Sequence, residues 1–525
     1  MAKSYRPTDV MKLLSKNNSL DLSAIEKTWV QMCLAVLFVL GLFYRAYPHL
    51  YLIPRWIIEE DAYSYAIFEL IKTGTTLRLG YQPILEQYVL YYFYLLTYID
   101  PTIIIQYANP FFGALTVFSL YFLFKHFLTS NQAIIATTLW AFSETVIYRS
   151  AVFNSTEAFG FFLAITALVY YIRNKYLKFS VLIILSLFSH ILPAVFILGI
   201  VFLDTFLKGN TKQKSIVIVV GICLVLFLYS PLNPHQRMIY SITPNIILSQ
   251  FSLANIFLYN IQDILLGVGI FSGSVVLLLL TFVSIVSIRP KKQLMYIYLF
   301  GAISLFIASW MFYSPYLLAP TRVVFYFIVP LSFFSTILIT KSKHINQKSF
   351  TFIIVLIMII SSLNGVDTML YTSKAVTLDE YYFIENSVVV NDIESKNYDN
   401  WWADTPLRSA LTIWGVFSKS TFELSQTYVI EATKITINVN STKTTTKIVY
   451  ENGVMVTKIV PPIFKYVVLS PRMEKSAYFN INTKYRTIQI SQPVVDIWKD
   501  MPDWKLVEEY KNIKLYKWIG IDIEG

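Results

Sequence analysis

Charge is what this sequence lacks most. Charged residues make up 14% of its 525 residues and hydrophobic residues 55%, whereas a soluble domain carries about 25% charged residues. So few charges cannot cover a soluble protein of this length. A mean hydropathy of +0.55 makes lipid the solvent for much of its surface. Cysteine is almost missing. Cys33 and Cys223 both lie in apolar runs, which excludes a disulfide framework and any thiolate metal site of the usual spacing. No cleavable signal peptide is visible. The N-terminus is polar and basic, with Lys3, Arg6, Lys12 and Lys16, and the first apolar run begins near Trp29. There is no internal repeat and no low-complexity tract. Lys and Arg outnumber Asp and Glu by 43 to 32. That excess sits in the loops between apolar segments, which is the positive-inside pattern of membrane proteins and excludes nucleic acid as a partner.

Long apolar runs, by contrast, fill the first two thirds of the chain. A spanning helix needs about 20 apolar residues. Spans are read at 29–47, 103–128, 131–149, 157–173, 178–191, 193–208, 215–231, 262–288, 293–313, 321–340 and 349–366. The halves on either side of His190 and Pro193 are short, so a broken or re-entrant element fits there as well. With the N-terminus inside, the inner loops carry Lys125, then Arg173, Lys175 and Lys178, then Lys208, Lys212 and Lys214, then Arg289, Lys291 and Lys292, then Lys341, Lys343 and Lys348. The outer loops are mixed or acidic. That alternation predicts a polytopic α-helical membrane protein of about 11–13 spans, with a cytoplasmic N-terminal segment at 1–28 and a transmembrane domain at 29–366. The first outer loop, 48–102, is long. Its Tyr-rich stretch from Tyr88 to Tyr98 is apolar enough to lie at the interface or dip into the membrane; if it crossed, every later segment would be inverted.

After Asn364-Gly365 charged residues return and strands are expected. Lys447-Ile-Val-Tyr-Glu and Val454-Met-Val-Thr flank Asn452-Gly453, a hairpin with a type I′ turn. Asn512 divides two more strand-like runs that end at Trp518. The sequence thus predicts a mixed α/β extracytoplasmic domain over 367–525, and Asn440-Ser441-Thr442 is a glycosylation sequon within it.

The ionisable residues expected on the outer side carry the functional information. Glu59, Glu60 and Asp61 follow the first span, where a carboxylate can act as a general base or hold a divalent cation; a solvated loop edge is the competing reading. Glu144, Arg149 and Glu157 gather where the third span turns into the fourth. Charges so close to lipid face a cavity or pair with each other, which makes Arg149–Glu157 or Arg149–Glu144 an alternative, structural explanation. His235, Arg237 and Gln250 lie on a later outer loop, and Arg322 opens a span. Such cations can hold a phosphate or pyrophosphate, although a single interfacial Arg also serves as a snorkelling anchor. His190 reads as helix-end packing.

These motifs resemble the GT-C superfamily of membrane glycosyltransferases, and within it the archaeal form of the oligosaccharyltransferase catalytic subunit. Ile58-Glu-Glu-Asp61-Ala-Tyr63-Ser-Tyr65, ending at Thr73-Gly74, is similar to that family's first acidic motif. Pro110-Phe-Phe-Gly113-Ala-Leu-Thr116-Val reproduces its next span opening, Arg149-Ser-Ala-Val-Phe153 matches the lead into the second acidic motif, and Arg322 to Leu331 matches a later span start. The resemblance covers about residues 28–366. The sequence departs from the pattern at three places: Ser155 replaces the first acid of the second motif, only Gln250 stands where a third acid is sought, and the acceptor motif is reduced to Trp401-Trp402-Ala-Asp404-Thr.

The resemblance implies a glycosyltransferase that moves a sugar from a polyprenyl (dolichyl)-phosphate donor to a glycan or protein acceptor on the outer face, with inversion. Asp61 would be the base, with Glu60 and Glu157 beside it. Arg149, Arg322, Arg237 and His235 would hold the donor phosphate, and Trp401, Trp402 and Asp404 the acceptor. Asp61 and Glu157 leave a divalent cation, Mg2+ or Mn2+, as an option, but they suit metal-independent chemistry better. Transfer of a lipid-linked glycan to protein Asn is the alternative. A transporter ranks below both, because the charges gather at one surface and no repeated halves are visible; an inactive protein of this fold, whose outer domain is the working part, also ranks below them and is prompted by the missing acids.

Overall fold

The computed structural model describes residues 27–47, 85–152, 155–208, 211–228, 273–290, 292–311, 320–341 and 346–376, eight short strands beyond them, and a few residues beside these segments. The chain divides into two units, one formed by 1–50 with 76–369 and the other by 51–75 with 370–525.

The first unit is a bundle of apolar helices. They are α1 (Lys27–Tyr47), α2 (Leu85–Thr97), α3 (Pro101–Lys125), α4 (Ser130–Ala141), α5 (Glu144–Val152), α6 (Ser155–Ile172), α7 (Tyr176–Ser189), α8 (Ile191–Lys208), α9 (Thr211–Leu228), α10 (Gly273–Ser287), α11 (Gln293–Met311), α12 (Pro320–Lys341) and α13 (Gln347–Val376). By length and composition, Lys27–Tyr47, Ile103–Lys125 and Ile191–Lys208 can each cross a bilayer, and six further apolar helices have described lengths of 10–17 residues. Helices suit lipid because each closes its own backbone hydrogen bonds, which a bilayer core cannot do for it. The protein is therefore a polytopic α-helical membrane protein.

The packing core lies between α3, α6 and α12. Ala114, Leu120, Leu123, Ala164, Leu168, Ile328 and Phe333 are fully enclosed, while Phe282, Phe300 and Phe352 are turned outward, as a lipid-facing surface requires. Hydroxyl groups join the helices at close range. Ser119 and Thr166 share a hydrogen bond of 2.7 Å between α3 and α6. Between α10 and α12, Thr281 donates to the Leu331 carbonyl and Ser335 to the Leu277 carbonyl, each at 3.0 Å. Without a hydrophobic driving force between helices in lipid, such contacts and close packing do the joining.

One expectation is corrected. The span read at 131–149 is two helices, broken at Phe142–Ser143. The Phe142 N–H reaches back to Thr138 and Trp140, a tightened last turn, and Ser143, an N-cap type followed by Glu144, starts the next helix. The last span, read at 349–366, lies in α13, whose apolar described part is Gln347–Leu363 and which continues as a helix to Val376. Asn364 and Gly365 do not stop it, because a glycine inside a helix costs only about 1 kcal/mol and no proline follows. Of the Tyr88–Tyr98 stretch, Tyr88 to Thr97 lie in α2 and Tyr98 follows its end; the residues just before Leu85 are outside the described ones.

At His190 the chain breaks between α7 and α8. The His190 N–H donates to the Ser186 carbonyl, and its Nδ1 accepts the Leu192 N–H at 3.3 Å. Ser186 also donates to the Gly160 carbonyl at 2.8 Å. A Cβ at Gly160 would stand 3.0 Å from that of His190, so a glycine keeps α6 close to the break.

In the second unit the described strands are β1 (Trp401–Trp402), β2 (Thr446–Glu451), β3 (Val454–Ile459), β4 (Tyr466–Leu469), β5 (Ala477–Ile481), β6 (Arg486–Ile490), β7 (Trp504–Tyr510) and β8 (Ile513–Trp518). A four-stranded sheet has the order β1-β4-β8-β7, and β2-β3 and β5-β6 are separate pairs. The Asn452-Gly453 hairpin is present, with Glu451 opposite Val454. The runs around Asn512 pair as β7 and β8, with Tyr510 opposite Ile513 and a register shift between Leu506 and Glu508. The sequon at Asn440 lies outside the described residues.

Candidate functional site

The helix break at Phe142–Ser143 is what assembles the site. It frees α5 as a short separate helix, and α5 carries Arg149 in its last turn. Two residues after α5 ends, α6 begins and places Glu157 in its first turn. Arg149 Nη2 donates to Glu157 Oε2 at 2.9 Å, and both residues are 5% exposed. Tyr326 of α12, fully buried, donates to the other carboxylate oxygen at 3.4 Å. Its ring is held by Phe161 at 5.3 Å, Phe196 at 5.1 Å and Phe325 at 5.8 Å between centroids. The Phe159 ring, two residues past Glu157, lies 4.4 Å from that of Phe112 on α3. In such surroundings a charge persists only when paired, and Arg149 and Glu157 supply each other's countercharge.

Of the two pairings open at the sequence level, Arg149–Glu157 forms. Glu144 instead accepts a long hydrogen bond from Ser361 of α13, at 3.5 Å. A second polar junction adjoins the pair. Arg45, near the end of α1, is fully enclosed. Its Nε donates to Ser150 at 2.6 Å, its Nη1 to the Gly41 carbonyl at 2.8 Å and its Nη2 to the Ala141 carbonyl at 3.3 Å. The Arg45 guanidinium also lies 5.9 Å from the Trp140 ring centroid. The Ser150 hydroxyl itself donates a hydrogen bond to the Val146 carbonyl. Arg45 thus ties together both sides of the break, Ala141 at the end of α4 and Ser150 on α5.

This junction gives a physical reason for the glycine in Pro110-Phe-Phe-Gly113. A Cβ at Gly113 would stand 2.6 Å from the Ser150 Cβ and 3.0 Å from Arg45 Nε. Only a bare backbone lets α3 approach that closely. Arg45, Ser150, Tyr326 and Ser361 were not singled out from the sequence. Tyr326 lies inside the Arg322 to Leu331 motif, a signal that was available; Arg45 carries no such mark.

Arg322 lies in the first turn of α12. Trp401 and Trp402 form β1, parallel to β4, with Trp401 opposite Tyr466 and Trp402 opposite Val467. Glu60, Asp61, His235, Arg237, Gln250 and Asp404 lie outside the described residues. Among the described residues no three His, Cys, Asp or Glu side chains come together as a metal site requires. Glu157 fits a cation poorly, because its carboxylate already accepts from a guanidinium and from a phenol.

No protein-family model matches the sequence, and no curated protein matches it. The fold does match solved structures. The chain is similar to the Archaeoglobus fulgidus oligosaccharyltransferase in its apo form, with a TM-score of 0.53 and 13% identity over 86% of this chain and 70% of that one. It is similar to ArnT from Cupriavidus metallidurans, a structure bound to undecaprenyl phosphate, with a TM-score of 0.53 and 11% identity over 93% of this chain and 98% of that one. At these identities the likeness is one of fold, which this chain shares with both structures.

Proposed function

We propose that the protein is an integral membrane glycosyltransferase that moves a sugar from a polyprenyl-phosphate donor to an acceptor on the outer face of the membrane. The observation that carries this reading is the fold likeness over 93% of the chain to a protein bound to undecaprenyl phosphate. The buried Arg149–Glu157 pair supports it, because it stands where the family pattern has its second acidic motif. In this reading residues 1–28 are cytoplasmic, and 367–525 form an extracytoplasmic domain.

The acceptor's hydroxyl or amide nitrogen attacks C1 of the sugar from the face opposite the phosphate. The C1–O bond to phosphate breaks as the new bond forms, which inverts C1, and the bonding pair leaves with the polyprenyl phosphate. Asp61 takes the acceptor's proton, with Glu60 next to it. Arg322, Arg237 and His235 stabilise the charge that gathers on the leaving phosphate. Arg149 adds to that field while Glu157 fixes its direction, so Glu157 is an orienting group rather than the base. Tyr326 holds the far oxygen of the same carboxylate. Trp401, Trp402 and Asp404 are the residues that the resemblance offers to the acceptor. No step requires a metal, and the engagement of Glu157 with Arg149 favours chemistry without one.

Transfer of a lipid-linked glycan to protein Asn is the second reading, favoured by the equal TM-score to the oligosaccharyltransferase. A dolichyl carrier suits either. Chelation separates the two, since loss of activity on metal removal supports the second. Replacing Asp61→Ala and profiling lipid-linked glycans and surface glycoproteins tests both at once. Accumulated donor and lost product are expected; an unchanged profile with the protein still expressed overturns the transferase reading.

A further inference from the structure

Three connections meet at the end of the bundle away from the Arg149–Glu157 pair, and each brings a cation. Lys125 and His126 end α3, Arg173 follows α6, and Lys292 precedes α11. The parallel course of α3 and α6, with Arg173 5.1 Å from the Phe122 ring centroid, puts their last turns side by side. Lys292 Nζ lies 5.8 Å from the Phe127 ring centroid, and the His126 ring packs edge-on to that same ring at 4.8 Å. Phe127 in turn meets Phe333 of α12 at 6.0 Å. Arg173, Lys292 and His126 are thus tied to one turn of the chain by two phenylalanines, and Lys125, in that same turn, donates to Ser130. Among the described residues none of these four basic groups pairs with a carboxylate; the ion pairs among the described membrane helices are Arg149–Glu157 and Lys208–Asp204. Partial burial lowers the His126 pKa first, and the positive charge of Lys292 and Arg173 lowers it further. The imidazole therefore registers the positive field of those two neighbours.

Part of this charge complements the carbonyls at the α3 C-terminus. That end carries about half an elementary charge, whereas Lys125, Arg173 and Lys292 carry three between them. Lys125, Arg173 and His126 are exposed, and Phe122 beside them is 44% exposed, an apolar surface level with the charges. Cations around an exposed aromatic at a helix-bundle end match a phosphate over acyl chains. We propose that Lys125, His126, Arg173 and Lys292 form a binding site for the phosphate headgroup of an anionic phospholipid, whose chains run along Phe122. The site is separate from the donor site and takes from the proposed function only its assignment to the cytoplasmic leaflet.

The test uses the purified full chain in neutral detergent. Its Tm is followed with phosphatidylglycerol, with phosphatidylcholine and with inorganic phosphate, and native mass spectrometry counts retained lipid. Phosphatidylglycerol should raise Tm by several degrees and be retained in preference to phosphatidylcholine. Arg173→Ala with Lys292→Ala should remove most of that shift, Arg173→Lys should keep it, and Lys214→Ala, whose amine lies over Phe206 instead, should keep it too. Equal effects of the two lipids overturn the proposal. So does a full shift in the double variant, or a shift that inorganic phosphate reproduces alone. If the double variant does not fold, the wild-type retention ratio decides, and a ratio near one overturns it. Detergent has no sides, so failure here leaves the transferase reading untouched, and failure of the Asp61→Ala test leaves this site untouched.

Discussion

Arg45 of α1 donates to Ser150 of α5 at 2.6 Å, across 105 residues of sequence. Ser150 is the neighbour of Arg149, so the residue that Arg45 holds is next in sequence to the residue that holds Glu157. The two junctions differ in one respect. Arg149 has a carboxylate, while Arg45 is met by a hydroxyl and two carbonyls.

Arg45→Ala is expected to lower stability by roughly 3 kcal/mol, since it opens a cavity and leaves the Ala141 carbonyl and Ser150 hydroxyl without their donor. Arg45→Lys should fall between, because an ammonium cannot reach both sides of the break at once. Thermal unfolding in detergent measures this, and an unchanged Tm for the alanine variant would refute the role of Arg45 as a tie.

Gly113→Ala forces a methyl to within 2.6 Å of the Ser150 Cβ. Overpacking of this kind costs about 1–3 kcal/mol. Adding Ser150→Gly removes the opposing atom and should recover part of the loss, beyond what the Ser150→Gly change does alone. Additive losses would show that the contact does not limit packing.

Removing one side of the buried Arg149–Glu157 pair leaves an uncompensated charge, with an expected cost on the order of 3–5 kcal/mol. Glu157→Ala should therefore destabilise strongly, whereas Arg149→Met with Glu157→Leu should cost far less than the sum of the single changes. A double-mutant cycle on Tm reads the coupling, and independence of the two sites would mean that the pair is not a unit.

Tyr326→Phe keeps the ring among Phe161, Phe196 and Phe325 and loses only the hydroxyl at 3.4 Å from Glu157. Stability should change by less than about 1 kcal/mol. Transfer activity should fall while donor binding holds, if Glu157 needs both partners to aim Arg149. Unchanged turnover would remove Tyr326 from the site.

His126 titrates below its ordinary value of 6.5, through burial first and then the Lys292 and Arg173 charges. Its folded pKa is lower than its unfolded one, so the unfolded state binds the proton more readily. Stability is then complete above about pH 6.5 and declines as pH falls below it, levelling off beneath the folded pKa. Tm measured from pH 7.5 to pH 5 should drop more in the wild type than in His126→Gln, and parallel curves would contradict the assignment.

Much of the membrane architecture was readable from hydropathy alone, for a physical reason: in lipid a chain must close its own backbone hydrogen bonds, so long apolar runs have few options besides helices. The hairpin around Asn452-Gly453 was legible because two residues of that kind favour the backbone twist that joins paired strands. Local pattern could not decide where Arg149 turns, since Glu144 and Glu157 were both in reach along the chain. It also could not separate an Arg that snorkels to the headgroups from one that turns inward, as Arg45 does. The break at Phe142–Ser143 was hidden inside an apolar run of ordinary length. Those outcomes depend on what stands opposite each residue, Ser150 and Gly113 for Arg45 and Tyr326 for Glu157, and only the packed helices bring such distant positions together.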